Sequence, residues 1–464
     1  MNIFRPLLAV LILFIPLYPK FPLLNFSNTY VALRLDDIVI ALIFAIWLLL
    51  QIKSRFPILK EKFTWFFLAY FLAISSTTLV AIFIYQTEPV NILLLHLIRR
   101  FEYVSLFFIT LRAINSKKDL LYFYFFLLLS VTGIAVYGYG QKYLQFPVIS
   151  TMNEEFSKGQ LLQMNVWTRI SSTFAGHYDL AAYLSLVLIV LLGVMLIYKN
   201  IFIRLLSFIL FMVSFHLLTL TASRISFFAF WGGSVLALIL IRKYLWVIPV
   251  SVLVISGMLQ SVDLNKRLLA TLPFFKPKPT PTIIIVPTNT PAPLPTISIK
   301  PTPTPIPLPT VKPIPTIIRH GPIDELIPID IDAGVARSGE IRFNVEWPRA
   351  ITAFRKNPVW GTGLGSISLA TDNDYLRLLG ESGLLGLFTF LFPVFYLIFR
   401  SFRLIKTKRP NSTVRLELVF VGVVFSTLTN AIFIDIFEAS KVAYAFWIIF
   451  GIYHQLSKFN QKSQ

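Results

Sequence analysis

A chain of 464 residues that is 56% hydrophobic, with mean hydropathy +0.73 and 44 phenylalanines, falls outside the range of soluble globular proteins and inside that of polytopic membrane proteins. The net charge of +20 would suggest nucleic acid in a soluble protein; in a membrane protein, surplus Lys and Arg are first orientation signals and ligands for anionic headgroups, so no nucleic-acid partner is expected. With no cysteine, disulfides, thiolate metal sites and a Cys nucleophile are excluded, and any chemistry rests on carboxylates, Arg, Lys, His and hydroxyls.

Residues 6–24 form an apolar run after Arg5, interrupted by Pro16 and Pro19 and followed by no small-residue cleavage site, so a retained first span is expected rather than a removed signal peptide. Apolar runs near membrane-spanning length continue at 36–52, 63–84, 91–113, 119–139, 179–198, 205–222, 226–241, 244–261, 378–399, 416–436 and 440–457, for twelve expected spans. The connections after the even-numbered spans carry 19 Lys and Arg, from Lys53 to Lys462, while short connections of the other parity hold few. The positive-inside rule then places both termini in the cytoplasm and turns two longer segments, about 140–178 and 262–377, outward. The expected fold is an all-α polytopic membrane protein: a membrane domain over 1–261, an outer loop over 262–377, and a C-terminal membrane region over 378–464.

Residues 273–317 hold 15 of the 29 prolines, interleaved with threonine. Such a tract excludes helix and sheet and favours extended polyproline II. It reads either as a disordered insertion without catalytic part or as a spacer glycosylated on its threonines.

Several charges stand where a membrane protein seldom keeps them. In NILLLHLIRRFEYVSLFFITLRAI, Arg99, Arg100 and Glu102 lie roughly 12–17 Å from the outer end of their span at 1.5 Å per residue. Charges at that depth mark function, an internal Arg–Glu pair, or a helix that starts only near Phe101. Arg224, in LTASRISFF, sits in a short outer turn, where it either snorkels to headgroups or binds phosphate bidentately. WTRISSTFAGHYDLAAYLS places Arg169, His177 and Asp179 on the same face. Arg34, Asp36 and Asp37 read as a helix start, since Asp favours the positive N-terminal end.

The block from Arg337 to Gly386 gathers the densest pattern. Trp347, Ala350, Ile351 and Phe354 recur at helical spacing with Arg342, Arg349, Arg355 and Lys356 on other faces, so 340–356 reads as an amphipathic helix at the outer surface, ended by Asn357-Pro358. Gly361, Gly363 and Gly365 then supply backbone able to approach a ligand closely, and Asp372 and Asp374 precede an apolar helix.

Three of these stretches, SRISFF at 223–228, WPRAITAFRKNPVWGTGLGS at 347–366 and DNDYLRLLGESGLLGL at 372–387, resemble the O-antigen ligase and O-antigen polymerase family of bacterial envelope glycosyltransferases, in the same order around a large outer loop. The resemblance implies an inverting transferase in the cytoplasmic membrane, active face outward, using an undecaprenyl-diphosphate-linked saccharide and neither nucleotide sugar, metal nor other cofactor. It also implies membrane lipids, a chain-length regulator and a flippase as partners. By motif, Arg224 and Arg342 would hold the donor's diphosphate. Arg342 precedes Trp347 by five residues where the family has four, and Asp372-Asn373 stands where the ligases carry His-Asn, a departure that leans toward a polymerase.

Breaking a glycosyl–diphosphate bond requires stabilisation of the leaving charge, which arginines can supply, and a base for the acceptor hydroxyl. The arginines available are Arg224, Arg342, Arg99, Arg100 and Arg169; the candidate bases are Asp372, Asp374, Glu381 and His177. For Asp372 three roles stay open: base, one half of a D-x-D metal pair with Asp374, or helix cap. Against a polymerase stand a ligase and, from another class, a lipid-diphosphate transporter or flippase using Arg99 and Arg100.

Overall fold

A computed structural model describes residues 3–19, 21–25, 32–149, 161–162, 169–260, 341–367, 371–408 and 410–461. The Pro/Thr tract lies outside them. Among the described residues the chain forms thirteen α-helices: α1 (Phe4–Leu17), α2 (Leu35–Lys53), α3 (Lys62–Val80), α4 (Val90–Ala113), α5 (Lys117–Leu144), α6 (His177–Ile197), α7 (Ile201–Thr221), α8 (Arg224–Leu240), α9 (Val247–Gln260), α10 (Trp347–Lys356), α11 (Asp374–Phe402), α12 (Ser412–Asn430) and α13 (Ser440–Gln461). Two antiparallel ribbons accompany them, β1 (Pro22–Asn25) with β2 (Ala32–Arg34) and β3 (Val148–Ile149) with β4 (Leu161–Leu162).

Helices α2, α3, α5, α6, α7, α11 and α12 are long and apolar enough to cross a membrane; α1, α8 and α9 are apolar but shorter. With every backbone bond satisfied inside a helix, this is the architecture hydrocarbon permits, and the chain is an all-α membrane protein. Around each expected span there is a helix, but boundaries differ. The first ends at Leu17, not 24: Tyr18 turns to extended backbone (φ −68°, ψ 122°) because the residue before Pro19 is driven out of the α region. The eleventh ends at Asn430, and residues 431–439 form turns that carry Asp435 and Glu438 toward arginines of α11 and α4. In the amphipathic stretch, Arg342–Glu346 is wound as a single π turn before α10.

The core is built around α6. Apolar on all sides, it is enclosed over 94% of its central stretch, as expected of a helix without a polar face. Beside it α8 and α12 meet through Gly233 and Gly422: a Cβ on either would lie 2.6 or 2.4 Å from the other's carbonyl oxygen, so only glycine permits this backbone approach. Between α3, α4, α11 and α13, Phe67, Phe107, Phe390 and Trp447 form an edge-packed aromatic core, with Phe67 and Phe107 centroids 4.8 Å apart.

Candidate functional site

Helices α6, α8 and α11 all begin on the same face, and their first turns supply the candidate site. α7 closes on Ala222 in the left-handed region (φ 52°), so α8 starts two residues later at Arg224. That start is anchored from below: Ser226 Oγ donates to Asn430 Oδ1 at 2.9 Å, and Asn430 Nδ2 donates to Ser185 of α6 at 3.0 Å. At the head of α6, the Arg169 guanidinium lies 2.7 Å from His177 Nε2, and the His177 and Tyr178 rings are 4.1 Å apart. From the other half of the chain, Arg342 donates to Asp372 at 2.8 and 2.7 Å and neighbours Tyr178. The charges of Arg342 and Arg169 both bear on Arg224, which also neighbours Tyr178. Arg169, Arg224 and Arg342, three separate sequence regions, therefore meet around Tyr178, and all are only half-buried.

Asp372 is set by its neighbours. Its backbone is left-handed (φ 49°), and Asp435 holds it from both sides by accepting the Thr371 and Asn373 amides at 2.8 and 3.0 Å. Asn373, not Asp372, caps α11 by accepting the Leu376 amide at 2.9 Å. Burial raises the Asp372 carboxyl above its ordinary value, with Arg342 acting against it. A carboxylate that sequence reasoning missed, Glu346, stands one turn along from Arg342. Burial and then the charge of Asp372 push it up to about 7, and its Oε2 has no hydrogen-bond partner among the described residues. Glu346 lies in the amphipathic run between Arg342 and Arg349, at a position the sequence pattern leaves without a role.

The remaining sequence candidates lie apart, in a buried ionic layer. Arg99 donates to Asp37 at 3.2 Å and to the Ala32 carbonyl at 3.1 Å; Arg100 is hydrogen-bonded to Glu438 and to the Phe437 carbonyl. Glu381 is sandwiched between Arg377 at 3.3 Å and Arg100 at 3.9 Å and is 1% exposed. Arg377 also donates to Asp435 at 3.0 Å. α4 is continuous from Val90, so the option of a helix starting near Phe101 fails; within α4 Arg99 lies 3.9 Å from Glu102, while the carboxylates on Arg100 come from α11 and the 431–439 turns. Asp374 spends its carboxylate on the Ile436 and Phe437 amides, at 2.8 and 3.2 Å, while Asp372 faces Arg342; the two halves of the D-x-D thus point to different partners. Asp435 went unnoticed because it sits at the end of the stretch assigned to the eleventh span, and Glu438 because it falls in the three-residue connection before the twelfth.

The glycine run also serves the chain itself. Gly383, with φ 64° and ψ −167°, breaks α11 and frees carbonyls that the loop uses: Thr362 N–H donates to Gly380 O and Gly363 N–H to Glu381 O, both at 2.9 Å. A Cβ on Gly361 would fall 2.4 Å from the Glu381 carbonyl carbon, and one on Gly365 2.4 Å from the His96 ring. The close approach expected toward a ligand is made instead to α11 and α4.

Chemically, the half-buried cluster offers planar forked donors suited to a diphosphate, the positive ends of α6 and α8, and two carboxylates of raised proton affinity. No protein-family model and no curated protein matches the chain.

Proposed function

We propose that the chain is a glycosyltransferase that polymerises lipid-diphosphate-linked oligosaccharide repeats at the outer face of the cytoplasmic membrane, with twelve spans and both termini inside. The observation that carries the reading is the gathering of Arg169, Arg224 and Arg342 at one half-buried place. Like charges brought together away from water repel, and a polyanionic ligand relieves that repulsion. In this reaction the acceptor hydroxyl oxygen bonds to the anomeric carbon from the face opposite the diphosphate. The carbon–oxygen bond to the diphosphate breaks with its electron pair, inverting the centre, and the arginines take up the leaving charge. Glu346, near 7, receives the hydroxyl proton, because a base poised near operating pH serves best; Asp372 orients Arg342. The Asp372-Asn373 pair, in place of the ligases' His-Asn, favours polymerase over ligase.

The test is the purified chain in proteoliposomes with a synthetic undecaprenyl-diphosphate oligosaccharide as donor and acceptor. A ladder of lengthened lipid-linked glycans with release of undecaprenyl diphosphate is expected. Glycan transfer only to an added lipid or protein acceptor would make it a ligase, and movement of intact donor across the bilayer a flippase.

A further inference from the structure

A narrow, elongated cavity runs between α1, α5, α6, α12 and α13. It follows α13 from Lys441 to Leu456, roughly 22 Å at 1.5 Å per residue. Its wall is aliphatic and aromatic, with Ile15, Val190, Phe420 and Ile449 among the lining residues. Two of its polar groups are engaged within the chain: Tyr124 Oη with Ser207 Oγ at 2.6 Å, and Lys441 Nζ with the carbonyls of Pro16 and Thr173 at 2.9 and 2.6 Å. Water, which needs two to four partners, has little to hold it there. In a membrane protein such a space fills with hydrocarbon.

The two ends differ. At the Lys441 end the cavity is shut by those hydrogen bonds, with Lys441 Nζ 5.0 Å above the Phe174 ring and Lys441 itself 1% exposed. This is the end beside the Arg169–His177 segment of the candidate site. At the other end Leu121 is 37% exposed, and Leu120, Tyr124 and Tyr198 are half-buried. Lys117, Lys118 and Lys199, all exposed, directly flank these residues in sequence.

We infer that this cavity holds one acyl chain of an anionic membrane phospholipid, its headgroup against Lys117, Lys118 and Lys199. The opening faces away from the arginine cluster, so a saccharide lipid whose diphosphate sits among those arginines would meet the closed end. The lysines supply the charge complementarity, each worth about a factor of five toward an anionic surface. The inference stands independently of the proposed transfer reaction.

The full chain is reconstituted into nanodiscs of equal phosphatidylglycerol and phosphatidylcholine, extracted in mild detergent, and examined by native mass spectrometry. One retained phospholipid per chain, enriched in phosphatidylglycerol, is expected. Ile449→Trp, which fills the cavity, should abolish retention. Leu121→Trp, at the exposed mouth where folding is not at stake, should lower it at least tenfold. Lys117→Gln, Lys118→Gln and Lys199→Gln should each lower the phosphatidylglycerol preference about fivefold while a lipid is still retained. Absence of retained phospholipid, retention unchanged in Leu121→Trp, or a retained isoprenoid diphosphate in its place would each overturn the assignment.

Discussion

Two groups of arginines lie on the same side of this molecule and behave in opposite ways. In the buried layer, Arg99, Arg100 and Arg377 are each matched by carboxylates of the chain, with Asp37, Glu381, Asp435 and Glu438 all within ion-pair reach. In the half-buried cluster, Arg169, Arg224 and Arg342 are brought into one another's field. The first arrangement closes its electrostatics internally and ties α2, α4, α11 and the 431–439 turns together. The second holds Asp372 on Arg342 and, in the proposed reaction, takes a diphosphate as well. Depth in the membrane thus does not identify a binding arginine; what surrounds it does, because desolvated charges persist only where their partners are supplied.

The comparison breaks most sharply under mutation. Removing one member of the buried layer strands its partner, so Arg377→Ala should cost about 3–5 kcal/mol of stability, read as loss of folded protein in detergent. Arg224→Ala should leave thermal stability nearly unchanged, Arg342→Ala, which strands the partly exposed Asp372, should cost less than Arg377→Ala, and both should lower glycan elongation about 10²–10³-fold, the range for losing one donor to a developing anion. Should Arg224→Ala unfold the protein while Arg377→Ala leaves it folded and inactive, the two groups have been assigned the wrong way round.

Smaller effects sharpen the picture. Gly361→Ala, which sets a methyl group against the α11 backbone at positive φ, should destabilise by about 1–3 kcal/mol in a denaturation series and act on activity only through stability. The smallest is a pH effect. Glu346, raised from 4.5 to about 7, is a base only when deprotonated, so elongation should rise about tenfold from pH 6 to pH 8 in wild type and lose that limb in Glu346→Gln. The stability sign is opposite: the raised group stabilises fully below 4.5 and that contribution is lost as pH climbs through 7. A pH profile identical in the variant rules Glu346 out as the base.

Helix positions were legible because each helix in a membrane protein writes its own apolar run, independent of tertiary contacts. Ends were legible only where a local rule acts. Pro19 could have placed the end of α1, whereas the end of α12 depends on Asp435 and Glu438 finding Arg377 and Arg100, which no local pattern records. At the candidate site, Arg224 and Arg342 announce themselves by residue type at a membrane boundary. Glu346 hides inside an amphipathic period, Tyr178 looks like one more interfacial aromatic, and the glycines signal a close approach without saying to what. Their partners, Glu381 and His96, lie on α11 and α4.

The enclosure of α6 has a mechanical side. A span with lipid on one flank can tilt or slide by exchanging hydrocarbon neighbours; α6 touches protein over nearly all of its central stretch, with the cavity running beside Tyr183, Leu186, Val190 and Val194. It is a rod held in a sleeve, with His177 and Tyr178 at one tip and Tyr198 beside the cavity mouth at the other.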